Sequence, residues 1–304
     1  MQLLQQIING ILLGGILAFV AVAFTLTIGM LNFLNFTIPA LFMLAGMVTW
    51  ALSTAGPHFL GLGWHWLPAA LVGIAVAVVA SLLIERFTYR YMKARFGDAT
   101  EHALPLVSSL GFLIIFEHWA MALWSSDPQR FELPFKNTSF EWGGLIFGIP
   151  HLISLGLAIG LVALLKGILE RTRLGRALRA IAENPNASSL MGVEVQRIVP
   201  LVFVIAGMLS AFAGILYAVS YGTVTPFMGD AIATDAIAGM VLGGLGNIWG
   251  AIAGGLVVGL VKVLAISTFG AEIEKIPVWG LLLLILIVRP TGLFGQSQLG
   301  KGKF

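Results

Sequence analysis

The sequence predicts an all-α, polytopic integral membrane protein with eight or nine transmembrane or half-spanning helices. Three observations carry that expectation. The chain of 304 residues is 58% hydrophobic and only 10% charged, whereas soluble domains run about 25% charged. Its mean hydropathy is +0.96. Apolar runs of spanning length recur along it, and the basic residues gather in a few short stretches between those runs. A large soluble protein with a very apolar core would need more charge than this to coat its surface.

The runs at 7–30, 38–55, 66–84, 104–124, 148–168, 199–221 and 249–269 are each long enough to span, since a transmembrane helix needs about 17–25 apolar residues. Two shorter runs, 234–247 and 277–288, read either as tilted spans extended by their flanks or as half-helices buried in protein. The opening stretch MQLLQQIINGILLGG has no Lys or Arg ahead of its apolar run. It lacks the charged start of a cleaved signal peptide and reads as mature structure. Orientation follows from Lys and Arg in short loops. The loop after the third run holds Arg86, Arg90, Lys93 and Arg95, and residues 171–198 hold Arg171, Arg173, Arg176, Arg179 and Arg197. Both are predicted to be cytoplasmic, as is the tail with Lys301 and Lys303. The loop 125–147 sets Arg130 and Lys136 against Asp127, Glu132 and Glu141 and is predicted to face outward. Counting back through three spans places the N-terminus outside.

Glycine is abundant, at 37 residues, and clustered. In GMVLGGLGNIWGAIAGGLVVG, Gly239 and Gly243 are four apart, and Gly246, Gly250 and Gly254 follow at the same spacing. Such small-residue faces let membrane helices approach closely.

Several chemistries are excluded or unsupported. Absence of cysteine rules out disulfides, thiol nucleophiles and thiolate metal sites. His58, His65, His102, His118 and His151 show no metal-ligand spacing, and all but His118 sit near span ends, where interfacial or capping roles fit. GQSQLGKG (295–302) loosely resembles a phosphate-binding loop, but Gly302 replaces the Ser or Thr that would hold Mg²⁺, and no strand precedes it. The net charge of +3 reads as topology marking rather than nucleic-acid binding. No catalytic residues, metal ligands or cofactor are predicted.

Ionisable groups within spans are costly there and tend to face cavities or partners. Glu117, Lys262, Asp230 and Asp235 are of this kind. They fit interfacial placement or one buried Glu–Lys pair, or else a place on a translocation pathway. Asn32, Asn35 and Pro39 in LNFLNFTIPALFMLAG suit a broken helix whose freed backbone lines a cavity, or else an ordinary connection between spans.

Residues 171–198 stand apart. They carry five of the seventeen Lys and Arg. A solvated loop, a site of chemistry and a docking handle are the three options. RTRLGRALRAIAE spaces Leu174, Leu178 and Ile181 as an amphipathic helix. Asn184-Pro185 ends it, because proline disfavours the helical state of the preceding residue. Asn186 is placed to cap a second short helix, ASSLM, and Gly192 to end that helix in a left-handed conformation. A passive loop needs no such caps, so the pattern points to docking.

The same stretch, LGRALRAIAENPNASSLMGV, resembles the cytoplasmic segment of permeases of branched-chain amino acid ABC importers. LNFTIPALFMLAG, AIAGMVLGGLGNIWGAIAGGLVVGL and VRPTGLFG resemble that family as well, in its order and over nearly the whole chain. The resemblance implies one transmembrane permease domain (1–304) in a bacterial inner membrane. It would contain a cytoplasmic coupling segment (169–198) and act as a transport subunit without its own ATP-binding motif. The implied partners are two ATP-binding subunits, a second permease subunit and an extracytoplasmic substrate-binding protein. Gly175, Arg179, Asn184, Pro185, Met191 and Gly192 match the coupling segment. Asn32, Asn35, Pro39, Glu117 and Asp235 are the candidates for the pathway. Two motifs depart from the family. Many relatives read Asn-Phe-Ala-His-Gly where this chain has Asn35-Phe36-Thr37-Ile38-Pro39, and often carry an acidic residue at Lys262. Urea or short-amide permeases share the architecture, and a stand-alone carrier or channel is the remaining alternative.

Overall fold

A computed structural model describes residues 2–31, 33–56, 58–96, 103–131, 139–142, 145–183 and 185–295. Asn32, Asn184 and the tail that holds Lys301 and Lys303 lie outside the described residues. Helix α1 (Gln2–Leu31) is followed by α2 (Thr37–Ser53) and α3 (Trp66–Ile84). A π-helical turn (Glu85–Arg90) carries α3 into α4 (Tyr91–Phe96). Then come α5 (Ala103–Trp124), α6 (Ile149–Arg171), α7 (Arg173–Glu183), α8 (Pro185–Leu190) and α9 (Val195–Tyr221). Helices α10 (Met228–Gly243), α11 (Ile248–Phe269) and α12 (Lys275–Val288) complete the series.

Five helices among the described residues are long and apolar enough to cross a membrane: Leu3–Met30, Trp66–Arg90, Leu104–Trp124, Arg197–Tyr221 and Ile248–Phe269. The chain is therefore a multi-pass membrane protein. Helices α2, α10 and α12 are shorter, at 17, 16 and 14 residues. At about 1.5 Å per residue, α10 and α12 reach only about 21–24 Å, short of the roughly 30 Å of a hydrocarbon core.

The structure corrects the expected loop after the third run. Arg86, Arg90, Lys93 and Arg95 lie on continuous helix from Trp66 to Phe96. Charge alone does not stop a helix, and no glycine or proline intervenes before Gly97. The π turn has a local reason. Its wider pitch brings residues five apart onto one face, and the buried Glu85 meets Arg90 there at 3.4 Å. Two small antiparallel strand pairs also break the purely helical expectation. β1 (Gln129–Arg130) pairs with β4 (Thr223–Val224), and β2 (Ser139–Trp142) with β3 (Leu145–Gly148). The first pair ties the segment after α5 to the end of α9. Trp50 of α2 donates its indole N–H to the Arg130 carbonyl at 3.0 Å, fixing that corner.

Helix α1 has no charged residue and sits inside the bundle, 83% buried over its apolar window. A helix apolar on all sides has no face to give to water. It runs antiparallel to α11, with Gly10 beside Leu260, Gly14 beside Leu256 and Ala18 beside Gly255. Helix α10 lies antiparallel on the same helix, Gly239 meeting Gly255 and Gly243 meeting Gly250. The backbones nearly touch: a Cβ on Gly14 would stand 2.8 Å from the Leu256 Cα. Lipid supplies no hydrophobic drive between helices, so this van der Waals contact is what small residues contribute.

The two glycine-bearing motifs near the C-terminal end form one unit. Asn247 caps α11 by accepting from the N–H groups of Trp249 (3.0 Å) and Gly250 (3.2 Å). Its own amide donates to the Phe294 carbonyl at 2.8 Å. Leu293 and Phe294 donate in turn to the Leu242 and Gly243 carbonyls at 2.9 and 3.0 Å. The VRPTGLFG segment thus satisfies the carbonyls left open at the end of α10.

Candidate functional site

Three places gather the residues singled out in the sequence. The first is the α6–α7–α8 corner. Thr172 makes the joint: its hydroxyl donates to the Ile168 carbonyl (2.5 Å) and accepts from the Gly175 N–H (3.1 Å), capping α7. Gly175 lets α7 fold tightly onto α6, because a Cβ there would run into the Leu169 backbone. Arg179 donates to the Leu169 carbonyl. Gly175 and Arg179 therefore set the angle of the corner. Leu178 and Ile181 are buried, at 4% and 1% exposed, and α7 packs on α1 and α9.

Helix α8 starts at Pro185, not after a cap at Asn186 as the sequence predicts. Proline is pre-shaped for the first helical position, where its missing N–H costs nothing. The expected end holds. Gly192 is left-handed at φ +86°, and the Val193 N–H reaches back to the Ser188 carbonyl at 3.0 Å, the reverse turn of a Schellman motif. The turn presents Leu190 and Met191, 88% and 85% exposed, at its tip. Met191 is conspicuous in the sequence, whereas Leu190 and Thr172 are not. The run S-L-M-G, two apolar side chains just before a helix-ending glycine, is the signal that finds the tip.

The second place is the break between α1 and α2. Asn35 is 2% exposed. Its side-chain oxygen accepts from the Thr37 N–H (3.0 Å) and hydroxyl (2.6 Å), starting α2. Pro39 lies in the first turn of α2 and packs directly on Gly229 at the start of α10. Asn35 is thus a satisfied turn former inside the protein, one contact away from the short helix.

The third place is the ionisable groups that the sequence singles out within the spans: one cluster and one carboxylate apart from it. Lys262 of α11 pairs with Asp235 of α10 at 2.6 Å and with Glu274, just ahead of α12, at 3.3 Å. The expected buried Glu–Lys pair is corrected by this. Lys262 takes Asp235 and Glu274, because the antiparallel α10–α11 packing brings Asp235 to its level and leaves Glu117 elsewhere. Asp235 is 1% exposed, and its second oxygen, Oδ1, has no partner. Tyr217 and Tyr221, with ring centroids 4.5 Å apart, lie beside this cluster. Glu117 of α5, 5% exposed, stands apart with Oε1 unpartnered. Asp230 lies on the exposed side of α10.

A bundle of apolar helices, sealed by small residues and holding carboxylates within its spans, is the framework of a polytopic membrane protein. The sequence profile described as "Branched-chain amino acid transport system / permease component" matches residues 6–288, and the chain belongs to that family. Among curated proteins it is 30% identical to the high-affinity branched-chain amino acid transport system permease protein BraD of Pseudomonas aeruginosa, over 98% of this chain and 97% of that one. It is 29% identical to the LivH permease protein of the corresponding Escherichia coli system, with the same coverage. Among solved structures, PsaBC from Streptococcus pneumoniae shares the fold, with a TM-score of 0.52 at 14% identity over 96% of this chain and 93% of that one.

Proposed function

We propose that the chain is the permease subunit of an ABC importer for branched-chain or related amino acids in a bacterial inner membrane. It works with two ATP-binding subunits, a second permease and an extracytoplasmic binding protein. In this reading it is not an enzyme. Helices α1, α2, α3, α5, α6, α9, α10, α11 and α12 are its transmembrane or half-spanning helices, α10 and α12 being the half-spanning ones, with the N-terminus outside and the α7–α8 corner in the cytoplasm. The antiparallel order of α1, α10 and α11 supports that alternation. Asn32, Asn35, Pro39, Glu117 and Asp235 belong to the pathway or its frame.

One observation carries the reading: a corner stiffened at both ends that exposes two large apolar side chains, Leu190 and Met191, to solvent. Water gives such a tip no reason to stay apolar; an ATPase cleft does. In this division of labour Thr172, Gly175 and Arg179 fix the corner, Gly192 shapes its end, and Leu190 and Met191 enter the cleft. The names of the relatives supply the ligand class.

The test is reconstitution with the partners. The Leu190→Ser/Met191→Ser variant should insert normally, fail to retain the ATPase and lose ATP-driven leucine uptake. A Gly-Ser linker in place of residues 184–192 should do the same. Full coupling in either variant, or leucine uptake by the chain alone, sinks the proposal. ATP-driven urea uptake in place of leucine would move the ligand class to short amides.

A further inference from the structure

We infer that the outer face of α3 and α4 is a phospholipid site. Arg86 and Arg95 hold the phosphate of an anionic headgroup, and the apolar stripe before them takes an acyl chain. The inference stands on the membrane-spanning fold and not on the transport reading above.

One line of side chains runs along this continuous helix. Leu71, Val79, Leu83, Phe87 and Tyr91 are each about half exposed or more, and Arg95 continues the line. Residues four apart drift round a straight α-helix by about 40° per step. The wider turn at Glu85–Arg90 takes up that drift, so Leu83, Phe87, Tyr91 and Arg95 all stay on the outer face. The π turn thus sets a cationic end in line with an apolar stripe.

Two features point to lipid as the cover of that stripe. The first is that α3 turns small residues inward. A Cβ on Gly73 would meet Thr49 and Ala45 of α2, and Ser81 donates its hydroxyl to the Phe203 carbonyl of α9 at 2.8 Å. The outer stripe is made of large side chains, whereas helix–helix contacts in membranes favour small ones. The second is dimension. From Leu67 to Phe87 the helix rises about 30 Å, the thickness of a hydrocarbon core. Exposed Trp64 lies just ahead of that stretch and exposed Tyr91 just beyond it, at the two levels where membrane aromatics gather. Arg95 therefore stands among the headgroups, and Arg86 reaches them by snorkelling. In the orientation above they belong to the cytoplasmic leaflet.

The charge at this level is open. Arg90 is compensated by Glu85. Arg86 and Arg95 are exposed and make no ion pair among the described residues. Arg95 is steadied by Tyr91: its Nη1 donates to the phenol oxygen at 2.6 Å, and its guanidinium carbon lies 5.9 Å from the ring centroid. Most of its five N–H donors stay available, and a guanidinium fork matches the oxygens of a phosphate.

The experiment uses the full chain, purified with its partner subunits and reconstituted in vesicles of equal phosphatidylglycerol and phosphatidylcholine. Substituting p-benzoylphenylalanine for Phe87 places a photo-crosslinker on the stripe. Irradiation should attach phospholipid, with phosphatidylglycerol enriched about fivefold or more over its share of the vesicle. Arg86→Gln/Arg95→Gln in that background should return the ratio to that of the vesicle, with the melting midpoint of the complex unchanged. Arg86→Lys/Arg95→Lys keeps the charge and should keep most of the enrichment. Attachment to a protein subunit overturns the site, because the face is then an interface. So does a parent ratio equal to that of the vesicle, or enrichment that survives in the glutamine variant. If the glutamine variant fails to fold, the lysine variant decides: enrichment lost while its melting midpoint holds also overturns the site.

Discussion

Two buried carboxylates of the bundle, Asp235 and Glu117, differ in whether the protein brings its own cation. Lys262 stands between Asp235 and Glu274, 2.6 Å from one and 3.3 Å from the other. That cluster joins α10, α11 and the start of α12 and is a clasp. Glu117 makes no ion pair among the described residues, and its Oε1 has no hydrogen-bond partner. Built-in charge compensation ends in structure.

Removing the clasp's cation should produce the largest effect. Lys262→Met leaves Asp235, 1% exposed, beside Glu274 with nothing positive between them. Breaking a buried pair from one side typically costs about 3–5 kcal/mol. The purified permease complex should melt well below the parent, and little of it should accumulate in membranes. Adding Asp235→Leu to Lys262→Met should recover most of the loss, since an apolar replacement of a whole buried pair is often neutral. A Lys262→Met variant that melts with the parent would show that the clasp bears no load.

Much of this was legible in the sequence, and the reasons for the gaps are physical. Apolar length marked the helices, because lipid demands it residue by residue. The end of α8 at Gly192 was legible because a left-handed turn selects glycine locally. The continuation of α3 past Ile84 was not, since charged residues mark a membrane boundary without ending a helix. The partner of Lys262 was also hidden. It depends on the register between α10 and α11, which is set by how Gly239, Gly243, Gly250 and Gly255 interlock, not by any neighbour in sequence. The small strand pair β1–β4 carried no signal, being only two residues on each side.

The smallest effect is expected at the clasp's outer member. Glu274 is 25% exposed at its side chain, against 2% for Asp235, and its contact to Lys262 is the longer one. Glu274→Gln leaves the 2.6 Å pair in place and keeps a hydrogen-bond acceptor near the ammonium. Partly exposed ion pairs are worth about 0–1 kcal/mol, so melting should shift only slightly. Salt should tell the two members apart. Raising ionic strength screens exposed charges far more than buried ones, so the difference between Glu274→Gln and the parent should vanish at high salt. The deficit of Lys262→Met should remain, because the charge left behind in that variant is out of reach of the ions. If both deficits faded together, Asp235 would be open to solvent, and the clasp would not be a sealed one.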